Sequence, residues 1–365
     1  MPSELYIGLM SGTSVDGVDA VLADFAAAPW RVRARRHVAF GPALRAELDA
    51  LQKSGADELH RSALAANALM DCCAAAVSGV LADARLESSD IAAIGLHGQT
   101  VRHRPELQFT TQLANPARLA EACRIPVVAD FRSRDVAAGG QGAPLAPALH
   151  AALFRDAARH RVVLNIGGIA NITDLPPDGP VRGFDTGPGN TLLDAWCMRH
   201  RGEAFDRDGA WAATGQPIAA LVEALRADAY FALPPPKSTG RDHFNLRWLE
   251  SRLQSSYAPA DVQRTLLALT SATIAEAIAA HCAGASEVVV CGGGAHNGAL
   301  LRELARDLGG RALTTTAAYG VPVGDVEALA FAWLARESLA GRPGNLPAVT
   351  GARGARVLGA VYPAG

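Results

Sequence analysis

A carboxylate stands at the end of a predicted strand in the segment GFDTGPGN, residues 183–190. A tight Gly-Pro-Gly turn follows Asp185, and Asn190 has the residue type of an N-cap for a helix over 191–199. A carboxylate beside helix N–H groups, with glycine clearing space around it, suits a proton acceptor in a closed cleft. A buried aspartate that accepts hydrogen bonds from turn amides is the competing interpretation. Asp185 is therefore the first candidate for acid–base chemistry.

Glycine and small polar residues are combined at three predicted strand ends, in MSGTS (10–14), NIGG (165–168) and CGGG (291–294). Glycine permits positive φ and lets backbone N–H groups approach an anion, while Ser and Thr hydroxyls add donors. Three such loops in one chain indicate a nucleotide with a polyphosphate tail. The chain lacks G-x-x-x-x-G-K-[ST], and Asn297 stands where a dinucleotide fingerprint has its third glycine. A phosphate site formed by hairpin turns is the interpretation that remains.

Two aspartates, Asp16 and Asp19, follow the first glycine loop. In a phosphate site they could hold Mg²⁺ through water, because this ion keeps most of its hydration shell and needs only one or two carboxylates. An aspartate before Gly17 also often binds its own backbone in a turn, and both interpretations stay open. No structural metal is predicted, because metal-ligand spacing is missing from the histidines His97, His103 and His296.

Polar residues also follow two other predicted strands. The segment HGQT (97–100) leaves one strand with polar side chains able to bind sugar hydroxyls. The segment DFRSRD (130–135) alternates charges at the end of the other strand, which is typical of a solvated, salt-bridged loop. The glycines of 139–144 instead predict a mobile segment that opens into a helix, an arrangement suited to substrate binding.

Hydrophobic patterning predicts strands at 5–10, 18–25 and 31–40 before any helix, and then strands separated by helices. This order predicts a mixed sheet covered by helices. A second hairpin, 162–175, repeats the pattern of strand, glycine turn and strand, so a duplicated domain is predicted. The alternative is that glycine-turn hairpins occur in any α/β protein. The last part of the chain is predicted to be mostly helical, with one strand at 287–291.

The chain of 365 residues is long enough for two domains. Its 34 basic and 36 acidic side chains leave a net charge of −2, which argues against nucleic acid or a membrane as a partner. The N-terminus lacks the features of a secretory signal, and two Ala-rich helices are interrupted by Asp71 and Glu276, so no membrane span is predicted. The six cysteines form no C-x-x-C pair and are expected to be reduced. Together these features predict a cytoplasmic protein.

Eight segments resemble those of one family, in order and in spacing. They are MSGTSVDGVD (10–19), GLHGQT (95–100), ADFRSRDVAAGGQGAPL (129–145), NIGGIANIT (165–173), GFDTGPGN (183–190), FDRDGAWA (205–212), PKSTGRDHFN (236–245) and CGGGAHN (291–297). From the first strand to the tail, the chain resembles the anhydro-N-acetylmuramic acid kinases. The resemblance implies an α/β fold of the actin/sugar-kinase superfamily. This is a clamp of two ribonuclease-H-like domains, with mixed sheets flanked by helices and ATP in a central cleft.

The resemblance also implies the domains and the reaction. The N-terminal domain would span 1–130 plus about 342–365, and the C-terminal domain 131–341. The enzyme would convert 1,6-anhydro-N-acetylmuramic acid, ATP and water into N-acetylmuramic acid 6-phosphate and ADP, with Mg²⁺, in peptidoglycan recycling. Asp185 matches the carboxylate that activates the attacking water. The implied ATP-binding residues are Gly12, Thr13, Ser14, Val15, Asp16, Gly17, Val18, Asp19, Gly167, Gly168, Gly292, Gly293, Gly294 and Asn297. The expected sugar contacts are Gln99, Asp130, Arg132, Asn165 and Glu327.

An ATP-driven conformational clamp of the actin-like type, without sugar chemistry, is the alternative function. The polar set His97, Gln99, Asp130 and Arg132 favours the kinase, because a filament or a chaperone does not need these side chains at the cleft. A phosphate-ester hydrolase is disfavoured, because no acidic cluster for two metals is evident. A homodimer is expected, since two-fold assemblies are the commonest.

Overall fold

The computed structural model describes residues 3–12 and 14–365, and the contacts within it divide the chain into two units. The first unit holds the chain up to Leu153 and again from Gly320 onward, and the second unit holds Phe154–Tyr319. The second unit is therefore inserted into the first, and the C-terminal segment returns to complete the first unit.

The first unit is built on a six-stranded mixed sheet with the order β13-β7-β4-β1-β2-β3, beside a separate hairpin of β5 and β6. Its strands are β1 (Leu5–Met10), β2 (Gly17–Asp24), β3 (Arg31–Ala39), β4 (Ala93–Leu96), β5 (Gln99–Arg104), β6 (Phe109–Leu113), β7 (Val127–Ala129) and β13 (Ala360–Tyr362). Its helices are α1 (Pro42–Ala50), α2 (Glu58–Ala84), α3 (Pro116–Cys123), α4 (Ser133–Ala137), α11 (Val326–Leu339) and α12 (Pro347–Thr350), and α5 (Ala146–Phe154) ends at the boundary.

The second unit is built on a five-stranded mixed sheet with the order β10-β9-β8-β11-β12. Its strands are β8 (Arg161–Ile166), β9 (Ile169–Leu175), β10 (Arg182–Pro188), β11 (Glu287–Cys291) and β12 (Ala312–Thr315). Its helices are α6 (Thr191–Arg201), α7 (Ala219–Arg226), α8 (Leu246–Glu250), α9 (Pro259–His281) and α10 (Gly298–Asp307). Each unit has a hydrophobic core of its own.

The two sheets share one topology. When only the strands of each main sheet are counted in chain order, the first three form an antiparallel meander. The first strand pairs in parallel with the fourth, β4 or β11, which pairs in parallel with the fifth, β7 or β12. Beginning at the third strand, both sheets run third, second, first, fourth and fifth. The repeated order confirms the duplicated α/β domain and the two ribonuclease-H-like halves.

Helix α11 shows why the chain rejoins the first unit before residue 342. It packs on β1 and β4, and its backbone comes close to the sheet because glycines stand at the contact positions. A Cβ atom on Gly8 would collide with the carbonyl oxygen of Ala328, and one on Gly95 would collide with that of Phe331. Phe131 packs on Phe331 with ring centroids 5.7 Å apart. The contact-defined units therefore differ from the expected bounds, 1–130 plus about 342–365 and 131–341, which place both 131–153 and α11 in the other domain.

Four strands of the structure, β5, β6, β12 and β13, were not expected from the sequence. The hairpin of β5 and β6 is polar on its exposed face, and β12 and β13 are short edge strands of four and three residues. None of them has a long apolar run, because an edge strand is covered on fewer sides than a central one. The expectation of a single strand after the β8–β10 meander is therefore wrong, since β12 pairs with β11 in parallel.

Helix α2 is long and apolar enough to cross a membrane by length and composition alone. Its most apolar 18-residue window has a mean hydropathy of 1.6, and 44% of that window is buried within the structure. Leu69, Cys73 and Val80 on this helix belong to the core of the first unit. Since a core helix passes the same test as a membrane helix, this feature is weak evidence for a membrane span.

Candidate active site

The loop between β1 and β2 in the first unit is held by side chains from β5 and from the loop itself. The hydroxyl of Ser11 donates to Gln99 Oε1, and Gln99 Nε2 donates to the carbonyl of Gly12 at 3.2 Å. Ser14 Oγ donates to Asp16 Oδ1 at 2.8 Å. Gln99 is fully buried, so its polar atoms serve the loop, whereas a sugar contact was expected. Thr13, which was expected to bind ATP, lies outside the described residues.

Residues 15–19 complete this segment and are positioned by the sheet. Val15 has a φ of +51°, a left-handed conformation that is strained for a β-branched residue and is typical of functional loops. A Cβ on Gly17 would lie 2.5 Å from the carbonyl oxygen of Val38. Val18 is buried in the core, so only its backbone can meet a ligand. Asp19 is exposed, and its Oδ1 lies 2.8 Å from Nδ1 of His37.

His97 links this loop to Arg132. Arg132 donates to His97 Nε2 from Nε at 3.2 Å and from Nη2 at 2.9 Å, so His97 Nδ1 carries the proton that binds the Ser11 carbonyl at 3.0 Å. Burial, together with the Arg132 charge, lowers the pKa of His97 to about 3. Burial also lowers the pKa of Arg132 to about 10, against the opposing charge of Glu327. His97 is therefore a neutral connector, and three of the Arg132 N–H donors already bind protein.

Asp130 and Glu327 are the expected sugar contacts of the first unit that keep exposed side chains. Asp130 has a φ of +59°, and its Oδ1 accepts from the Ser133 amide at 3.4 Å. Loss of solvation raises the pKa of Glu327. The positive charge of Arg132 lowers this pKa, and the negative charge of Asp19 raises it. Asp19 also raises the pKa of Asp325, after the larger effect of burial. The charge of Asp19 thus acts on both Asp325 and Glu327, but a nearby arginine, Arg35 or Arg132, has the larger and opposite effect on each.

In the second unit, the turn between β8 and β9 is fastened to the start of α6. The Gly167 carbonyl accepts from the Asn190 amide at 2.8 Å, and the Gly168 carbonyl accepts from the amides of Gly189 at 2.9 Å and Thr191 at 3.0 Å. Asn190 stands at the N-cap, but its side chain donates to the carbonyl of Ile166 at 3.1 Å. Asn190 is therefore the N-cap residue, as predicted, but its side chain makes no capping hydrogen bond. The carbonyl of Ile166 on β8 accepts from the side-chain amide of Asn190.

The triple glycine after β11 has two packed positions and one open one. A Cβ on Gly292 would collide with Asn165 Oδ1, and one on Gly294 would collide with the side chain of Ile166. The nearest atom to a Cβ on Gly293 would be Asn190 Nδ2 at 3.8 Å, so this backbone can be approached by a ligand. Asn297 Oδ1 accepts from the Leu300 amide at 3.0 Å, which makes Asn297 the N-cap of α10.

We predict that Gly292→Ala destabilises the second unit by about 1–3 kcal/mol. Gly292 has a φ of +82°, which alanine rarely adopts, and the added methyl would collide with Asn165 Oδ1. Denaturant unfolding measures the effect. Gly324→Ala is the matched control, because a Cβ there meets nothing within 4 Å. Equal stability of both variants and the unsubstituted chain would contradict the prediction.

Asp185 lies at a bulge in β10, where the pairing with β9 shifts between Asp185 and Gly187. Its amide donates to the carbonyl of Lys237 at 3.1 Å, and its carbonyl accepts from the hydroxyl of Tyr230 at 2.8 Å. The Thr239 amide donates to Oδ2 at 3.0 Å, and no other hydrogen bond to the carboxylate is found among the described residues. The side chain is half-buried. Burial raises the pKa of Asp185, against the smaller effect of the Thr239 amide.

The residues that hold Asp185 come from a motif to which the sequence analysis assigned no role. Lys237 and Thr239 belong to PKSTGRDHFN (236–245), and Tyr230 precedes it. The sign of these residues in the sequence was the motif itself, a polar segment for which no helix or strand was predicted. The physical reason it was missed is distance along the chain, since Thr239 lies 54 residues from its partner Asp185.

The comparison with known proteins decides the family. A model of the anhydro-N-acetylmuramic acid kinase family matches residues 4–364. The chain belongs to this family. A relative from Cupriavidus pinatubonensis, named anhydro-N-acetylmuramic acid kinase, is 57% identical over 98% of this chain and 98% of its own length. Relatives of the same name from Bordetella petrii and Nitrosospira multiformis are 58% and 52% identical, over 100% of this chain and 97% and 100% of their own lengths.

Membership of this family confirms the resemblance and the predicted class of enzyme. The chain is a kinase, an ATP-using phosphotransferase that acts on the anhydro sugar of peptidoglycan recycling.

Proposed function

We propose that Asp185 is the general base of an anhydro-N-acetylmuramic acid kinase. It takes a proton from water while the water oxygen bonds to the anomeric carbon, and the bond from that carbon to the bridging 6-oxygen breaks. The freed 6-oxygen attacks the γ-phosphorus, the bond to the β-phosphate oxygen breaks, and ADP leaves. The observation that carries the proposal is the half-buried Asp185 carboxylate, with Oδ2 held by the Thr239 amide and Oδ1 free to accept among the described residues.

ATP is assigned to the glycine loops of each unit. In the first unit, residues 12–19 would bind phosphate oxygens through backbone N–H groups and the Ser14 hydroxyl. In the second unit, Gly167 and Gly168 would approach the phosphates, and Gly292–Gly294 would lie against the adenosine. The open position at Gly293 supports the second assignment. Asn297 has a complete structural role as an N-cap, so its expected contact with ATP is the least supported of these assignments.

Magnesium fits the first unit as a water-bound ion. Among residues 3–12 and 14–365, no group of three or more His, Cys, Asp or Glu side chains could by itself hold a metal. Asp325 Oδ2 is buried without a hydrogen-bond partner in that part of the chain, and Asp325 is close enough to Asp19 for the charge of Asp19 to raise its pKa. Asp16 and Asp19 would hold the ion through water, and the ion would neutralise charge on the phosphates. The protein's part is to supply carboxylates near the loop.

The proposed sugar contacts fall into two groups, according to whether their polar atoms already form hydrogen bonds within the protein. Asp130 and Glu327 keep exposed carboxylates that can accept from sugar hydroxyls. Asn165 is half-buried beside Gly292. Gln99 and Arg132 bind the loop and His97, so we assign them to positioning the first unit.

The rate of turnover should fall at acid pH as Asp185 takes up a proton. A general base acts only when ionised, and burial raises the pKa of Asp185 above its ordinary value of 3.8. The acid limb of kcat should therefore have its midpoint above that value. His97 stays neutral over this range, because its pKa is lowered to about 3. A profile of kcat from about pH 4 to pH 8 measures the limb.

Asp194 provides the control for this profile. Burial raises the pKa of Asp194 on α6 to about 6, so Asp194 also titrates in the measured range. The variant Asp194→Asn should keep the acid limb. A limb that disappears in this variant, or a flat profile in the unsubstituted enzyme, would contradict the assignment to Asp185.

ATP consumption with and without the anhydro sugar separates the kinase from the actin-like clamp. We expect ADP formation to depend on the sugar and to match the sugar 6-phosphate formed. Consumption that is independent of the sugar would favour the clamp.

We also propose that the enzyme acts in the cytoplasm, where ATP is available and its six free cysteines stay reduced. A homodimer, the commonest assembly, is tested by light scattering.

A further inference from the structure

Residues 237–241, here called the strap, lie along the backbone of Asp185. The Asp185 amide donates to the Lys237 carbonyl at 3.1 Å, and the Thr239 amide donates to Asp185 Oδ2 at 3.0 Å. The strap therefore binds both the main chain and the carboxylate of the proposed base. Two contacts on alternate residues fix the direction in which the carboxylate points.

The strap is itself anchored to a cluster of aromatic residues. Lys237 Nζ donates to the carbonyls of Tyr230 and Phe231 at 3.2 Å each, and it lies 4.7 Å from the centre of the Tyr230 ring. Phe244, which is fully buried, packs against both of these rings, with centroids 5.6 Å away in each case. Two titratable residues therefore contact the backbone of Asp185: Lys237 accepts from its amide through the main-chain carbonyl, and Tyr230 donates its hydroxyl to the Asp185 carbonyl.

The hydroxyl of Thr239 is buried and has no hydrogen-bond partner among the described residues. Such a group is costly to leave unpaired, so a buried hydroxyl in a native protein calls for a partner in some state of the molecule. This hydroxyl is three covalent bonds from the amide that binds Asp185 Oδ2. An ionised carboxylate has room for about four hydrogen bonds, and that of Asp185 accepts one here.

We infer that Thr239 is a positioning residue of the kinase reaction, whose hydroxyl donates a second hydrogen bond to the Asp185 carboxylate when the sugar is bound. The inference rests on the proposed role of Asp185. The amide and the hydroxyl of one residue would then hold Oδ2, and Oδ1 would face the attacking water. A hydrogen bond to the charged form favours ionisation, so the bond would keep the base deprotonated in its half-buried site.

Thr239→Val tests the hydroxyl, because valine keeps the branched shape and removes the donor. We expect kcat to fall about tenfold and the acid limb of the kcat profile to move upward by about one pH unit, since losing the donor raises the pKa of the base. KM for ATP should stay within about twofold. Thr239→Ser, which restores the hydroxyl, should recover both the rate and the position of the limb.

Thr111→Val is the matched control, because Thr111 is exposed on β6 in the other unit. It should leave kcat and the acid limb unchanged. A Thr239→Val enzyme with a lower melting temperature but an unmoved limb would show a structural role alone and overturn the inference. If Thr239→Val does not fold, Thr239→Ser still decides, because a shifted limb in that variant contradicts a role for the hydroxyl.

The proposed function and this inference fail in different ways. Normal turnover in Asp185→Asn would show that Asp185 is not the general base, and the inference about Thr239 would then fail as well. If Asp185→Asn loses turnover but Thr239→Val keeps the rate and acid limb of the unsubstituted enzyme, Asp185 remains the proposed base. Only the role of Thr239 is then overturned.

Discussion

Asp185→Asn should lower sugar phosphorylation by about 10²–10⁴-fold, the range typical of a lost general base, while ATP still binds. Asparagine keeps the shape of the side chain and can still accept from the Thr239 amide, but its amide group takes no proton from water. The glycine loops assigned to ATP do not include Asp185. ADP formation in the presence of the anhydro sugar measures the rate, and calorimetric titration with an ATP analogue measures binding.

Asp178→Asn is the control for this experiment, because Asp178 is exposed in the loop before β10. It should leave both quantities unchanged. Retained turnover in Asp185→Asn would remove Asp185 from the mechanism. Loss of ATP binding in that variant would show that the substitution disturbs more than the proton transfer.

Asp135→Ala should destabilise the first unit by about 3–5 kcal/mol, because it leaves buried donors without their acceptor. Asp135 is fully buried. Its Oδ2 accepts from the Gly142 amide at 2.7 Å, and its Oδ1 accepts from Asn345 Nδ2 at 2.6 Å and from Thr350 Oγ1 at 2.8 Å. One carboxylate thus joins the glycine segment after α4 to the C-terminal residues of the chain.

Circular dichroism during heating measures this effect. With about 2–4 °C of melting temperature for each kcal/mol in a unit of this size, a fall of about 6 °C or more is expected. Asp49→Ala is the control, since Asp49 is exposed on α1. A change under about 1 kcal/mol in Asp135→Ala would mean that Asn345, Thr350 and Gly142 find other partners.

Asp135 also corrects an interpretation made from the sequence. Alternating charges in 130–135 predicted a solvated loop, and the glycines of 139–144 predicted a mobile segment. The structure instead buries Asp135 and fastens the Gly142 amide to it. The partners Asn345 and Thr350 lie 210 and 215 residues away, so local pattern carried no sign of them.

The amino-acid sequence alone determined the features that depend on neighbours along the chain. Glycine turns between apolar strands specified the two hairpins β1–β2 and β8–β9, and the ordered motifs specified the family. These properties are local, because strand alternation and turn geometry depend on adjacent residues.

Only the tertiary structure decided how the side chains of these motifs are used. Gln99 and His97 were expected at the sugar, but folding turns their polar atoms toward the loop after β1. The Asp185 carboxylate accepts from the Thr239 amide, and Asn190, the N-cap of α6, donates its side-chain amide to a β8 carbonyl. The physical reason is that a buried polar atom must find a partner, and the fold chooses among all donors it brings together, however far apart they lie in the chain.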